Sequence, residues 1–118
     1  MKLRAVKGRI DAVAAGAEPD VIFTRSAELL REGAAISRTS FDRIEALEAP
    51  AGARDAVDAW VAANRRQAAL TDTLADAFTA QDETRIARLS EQVDTLEERN
   101  NATARRLGMR TCAERVQA

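Results

Sequence analysis

Histidine is absent from the 118 residues, and with it the commonest general base and metal ligand. Tyrosine is absent too, and aromatic residues make up only 3% of the chain. Strands draw on aromatic and β-branched side chains, so a sheet is not expected. Cys112 is the only cysteine. That excludes an intrachain disulfide and leaves the redox compartment undetermined. Around it, the tail from Gly108 to Ala113 offers only Arg110 to activate a thiolate, so Cys112 is read as structural rather than catalytic. Without a Glu-x-x-His pair the di-iron bundle signature fails, and there is no glycine-rich phosphate loop. No apolar run approaches the roughly 20 residues that span a bilayer. The stretch Met1 to Ile10 alternates charge with hydrophobicity and has no continuous apolar centre, unlike a signal peptide. Neither enzyme chemistry nor a cofactor nor a metal site is expected.

What the chain does have is alanine, leucine and helical spacing. Hydrophobic residues make up 46% of it, with the strong helix formers prominent. Apolar residues recur three and four apart, as in Phe23, Ala27, Leu30, Ala34, Phe41, Ile44 and again in Ile86, Leu89, Val93, Leu96, Leu107. Such spacing lays a narrow stripe on a helix, the seam by which long helices pack. Breakers at Gly16–Pro19, Ala49–Gly52, Ala80–Asp82 and Gly108 divide the sequence. They predict helices over about 3–15, 21–48, 53–79 and 83–107, with a tail at 108–118. Asp20 and Asp82 are the expected N-caps. Gly33, interior to the second segment, costs about 1 kcal/mol relative to alanine and suggests close packing of a neighbouring backbone.

The fold class is therefore all-α: an up-down antiparallel bundle of three long helices plus a shorter N-terminal helix, in one domain. Short turns place Trp60 beside Phe41 at one end and Phe78 beside Phe23 at the other. The segment 3–15, with Leu3, Val6, Ile10 and Val13 on its stripe, reaches only the half nearest Ala80. In the other half Phe41, Val57 and Trp60 form a candidate interface. Either a stretch upstream of Met1 completes the cover there, or another chain does.

Polar residues interrupt the seams: Ser37 in the second segment, Asn64, Gln67 and Thr71 in the third, Asn100 and Thr103 in the fourth. Buried amides must bond or cost about 1–3 kcal/mol each. Ser37, Asn64, Gln67, Asn100 and Thr103 thus form either a polar layer that fixes helix register or the lining of a pocket for a small polar ligand. Register is favoured, since no aromatic cluster accompanies the amides. The charges (18 basic, 19 acidic, net -1) interleave along the segments, which argues against nucleic-acid binding. Several pairs are spaced to interact across a solvated helix face.

The run from Ile44 to Pro50, then Trp60, then Ala104-Arg-Arg-Leu-Gly-Met-Arg-Thr-Cys-Ala113 resembles a loosely defined group of small uncharacterised helical proteins of high-GC actinobacteria. Many of that group are secreted or lipid-anchored. The likeness covers about the last two-thirds of the chain and implies an extracytoplasmic location. In the group the terminal cysteine commonly pairs with one in the first helix; this sequence has no such partner. The function expected is a non-enzymatic helical-bundle module for protein interaction, or an extracytoplasmic structural role, with a protein partner or a homo-oligomer. A small-ligand sensor and an intracellular homodimeric regulator are the alternatives.

Overall fold

The computed structural model describes residues 18–108, which form three α-helices and the turns between them. The helices are α1 (Pro19–Glu45), α2 (Arg54–Thr79) and α3 (Glu83–Arg106), and no strand occurs among the described residues. The segment 3–15, with Leu3, Val6, Ile10 and Val13, lies outside the described residues, as does Cys112.

Local chemistry sets the ends. α1 begins at Pro19, two residues earlier than expected, because proline's fixed φ suits the first helical position. Glu18, not Asp20, stands at the N-cap and makes no side-chain cap bond. Asp20 instead sits in the first turn, where a carboxylate suits the helix dipole, and accepts a hydrogen bond from Gln81 Nε2 at 3.3 Å. At its far end α1 stops at Glu45 rather than 48, where Leu47 N–H turns back to Ile44 O at 3.1 Å.

The α2–α3 turn is the tightest joint. Gln81 takes a left-handed φ of 53°, and its N–H donates to Phe78 O while Asp82 N–H donates to Ala77 O, both at 3.0 Å. Those two bonds are the Schellman closure. Asp82 then caps α3 as the sequence suggests, its carboxylate accepting from Arg85 N–H at 3.1 Å. Gly108, with φ of 85°, closes α3 at the position that favours glycine.

α1 packs antiparallel on α2, and α2 on α3. Rungs of charge mark the first pairing: Arg31 to Asp76 at 3.1 Å, Arg38 to Asp72, and Arg65 to Asp42 and Glu45 at 2.8 and 2.9 Å. Hydrogen bonding to Asp42, then to Glu45, raises the Arg65 guanidinium above its ordinary pKa. The ring pairs fall at opposite ends as the hairpin requires, Phe23 with Phe78 at 6.2 Å and Phe41 with Trp60 at 5.2 Å. The three long helices do not close on one another, however. No Cα of α1 comes within 8 Å of one in α3, so α2 is the shared centre and its two partners stand apart.

Apolar packing forms two clusters. Leu74, Ala77 and Leu89, with Leu30, Leu70, Phe78, Ile86 and Val93 around them, sit near the Gln81 turn. Trp60, Val61 and Ala104, with Phe41, Ile44, Val57 and Leu107, sit at the opposite end. The amides lie between.

Candidate functional site

The polar layer is narrower than the seam pattern suggests. Its centre is Asn100, whose Nδ2 donates to Gln67 Oε1 at 2.8 Å across the α2–α3 interface. Gln67 and Asn100 are 4% and 5% exposed, so this bond is made out of water. About two turns away along α2, Trp60 Nε1–H donates to the backbone oxygen of Asn100 at 3.2 Å, which fixes the indole against α3. These two bonds tie α2 to α3 at one height.

The other expected members do not join them. Asn64 donates through Nδ2 to Trp60 O within its own helix, at 2.9 Å, and is half-buried. Thr103 donates back to Arg99 O at 3.0 Å and accepts from Arg106. Ser37 is half-buried, and no hydrogen bond links it to Asn64 or Asn100. A seam position reached by a short polar side chain is often satisfied by the carbonyl one turn back, which counting along the chain does not show. Thr71 behaves likewise, almost fully enclosed yet bonded to Gln67 O at 2.9 Å.

Two buried polar residues escape the seam pattern altogether. Asn101 is 8% exposed beside Asn100, and Ser26 in α1 is fully enclosed with no hydrogen-bond partner for its hydroxyl. Both lie off the stripes that face α2. Their sequence signal is only a small or amide side chain one step from a seam, which is ordinary on a solvated face.

The candidate interface divides. Trp60 is 6% exposed and belongs to the core of its cluster, so it cannot serve as a surface anchor. Phe41 and Val57 are partly buried against it, together with Ile44 and Leu107. At the same end of the hairpin, in the α1–α2 turn, Leu47 is 72% exposed. On the outer face between α2 and α3 an open groove of about 460 Å³ runs past Leu70, Leu96, Arg88, Glu91 and Arg99. It carries both signs of charge and no enclosed wall.

Among the described residues no group of three or more Cys, Asp or Glu is placed to hold a metal ion, and no helix is long and apolar enough to cross a membrane. No protein-family model, curated protein or solved structure matches the chain.

Proposed function

We propose that this chain is a non-enzymatic helical-bundle module that works through protein association, in an extracytoplasmic role, and that its contact surface is the Leu47 end of the α1–α2 hairpin. The observation that carries the reading is the exposure of Leu47 at the end where Phe41, Ile44, Val57 and Leu107 are only partly covered. Contiguous exposed apolar surface marks an interface, and Leu47, whose N–H donates to Ile44 O, adjoins the partly covered residues of this end. The extracytoplasmic element rests on the sequence resemblance alone.

The Gln67–Asn100 pair supports a register role within that module. Gln67 and Asn100 are almost closed to solvent and bonded across the α2–α3 interface, which weighs against the pocket reading. A second copy is the first partner to test. Sedimentation of the full chain over a concentration series should show self-association that Leu47→Lys weakens at least tenfold. A chain that stays monomeric at every concentration overturns association between copies.

A further inference from the structure

We infer that the open groove between α2 and α3 is a self-recognition surface, on which a second copy of this chain docks its own α3 antiparallel, about a twofold axis through Thr95. This surface is separate from the Leu47 end, since none of its lining residues belongs to α1 or to the α1–α2 turn. Its floor is apolar, with Leu70 from α2 and Leu96 from α3, both half-buried. Its α3 wall is an exposed stripe of Arg88, Glu91, Thr95 and Arg99, at the three-and-four spacing of one helix face. Among the described residues these three charges enter no ion pair, whereas Arg31, Arg38 and Arg65 all find carboxylates across the α1–α2 interface.

The order of the charges selects the occupant. A twofold interface brings residue i of one copy to residue j of the other and j to i, so the surface must be complementary to itself. Glu91 and Arg99 stand four residues before and after Thr95. They are therefore about 6 Å from it along the helix axis in opposite directions, and about 40° to opposite sides of it. A twofold axis through Thr95 reverses both displacements. It sets Arg99 of the second copy opposite Glu91, and Glu91 of the second copy opposite Arg99.

The same operation lays Arg88 over Ala102 and Gln92 over Glu98, so like charges do not meet along the stripe. An axis moved to lie between Val93 and Asp94 would instead set Arg88 against Arg99. Thr95 at the axis and Ala102 beneath the arginine are small, which lets the two helices approach and interlock. Each α3 then covers the apolar floor of the other copy's groove. The two reciprocal ion pairs fix the alignment more than they add affinity, and salt should weaken them.

Charge exchange in the full chain tests this, in a Leu47→Lys background that removes contact through the other surface. Sedimentation should still show self-association there. Glu91→Arg alone, or Arg99→Glu alone, sets like charges face to face at both pairs and should weaken it about tenfold. The double exchange should restore association. Mixing the two single variants should restore it too, because each chain supplies the charge that the other lacks. In a Cys112→Ser background, Thr95→Cys should close a disulfide between copies on mild oxidation. Ala87→Cys should close at least about tenfold more slowly, since the two copies of that residue lie about 24 Å apart along the paired helices. A Leu47→Lys chain that is monomeric at every concentration assigns all association to the Leu47 end and overturns the proposal. So does failure of both the double exchange and the mixture to restore association, or equal closure by the two cysteines. Association that Leu47→Lys leaves unchanged, yet that follows the charge exchange, refutes the Leu47 surface and upholds this one.

Discussion

Ser26 is wholly enclosed in α1, and its hydroxyl makes no hydrogen bond. A buried unmet hydroxyl costs about 1–3 kcal/mol, so Ser26→Ala should stabilise the protein by about 1 kcal/mol in urea unfolding. Loss of stability instead would mean that the hydroxyl has a partner. Gln67 and Asn100 present the opposite case, a buried pair in which the Asn100 amide donates to Gln67 Oε1. Asn100→Leu alone should lose about 1–3 kcal/mol, because Gln67 Oε1 is then stranded. Adding Gln67→Leu should recover most of that, with a double-mutant cycle reporting the coupling. The double variant should also show broadened amide resonances, since two leucines no longer distinguish one helix offset from its neighbours. Of the six polar residues that interrupt the seams, only these two bond to each other side chain to side chain. A stripe reports that a position faces inward. Whether a short side chain there reaches across or bonds its own helix depends on rotamer and backbone spacing, as Asn64 and Thr103 show.

At the scale of elements, the joint between α2 and α3 concentrates the local free energy. Asp82 acts twice, closing α2 through its N–H and capping α3 through its carboxylate. Asp82→Ala should therefore cost about 1 kcal/mol by loss of the cap, read as a lower urea midpoint at unchanged slope. Gln81 holds a left-handed backbone that costs an L-residue about 1–2 kcal/mol. Gln81→Gly should return about 1 kcal/mol of that, against a weak exposed bond from its amide to Asp20. If the variant proves less stable, the Asp20 contact outweighs the backbone relief. Element positions were legible because breakers and caps act locally. The starts and stops that moved, Pro19 for Val21 and Glu45 for Glu48, turned on which residue of a breaker cluster enters the last hydrogen-bonded turn.

At the scale of the whole molecule, the ion pairs that cross between described helices join α1 to α2. Their side chains are substantially solvated, so each pair contributes little and is screened by salt. Raising salt from about 0.1 M to about 1 M should lower stability by no more than about 1–2 kcal/mol, with the α2–α3 joint unaffected. Amide exchange resolved by helix would check this, and a large loss shared by all three helices would show that the rungs hold the fold.

By itself the sequence determined the helical class, the three long segments, the antiparallel hairpins and the ring pairs at their ends. Each depends on spacing along one chain, and spacing of three and four residues has only one compact solution on a helix. Tertiary structure decided which faces meet. A stripe can serve one neighbour or two, and the pattern on α1 does not distinguish a triangle of helices from an open arrangement centred on α2. The answer lies in backbone distances: α1 and α3 each approach α2 and stay more than 8 Å from each other. Trp60, expected at an interface, lies instead in the core, where its indole bonds the carbonyl of Asn100. Such a contact joins residues forty positions apart, and no local periodicity encodes it.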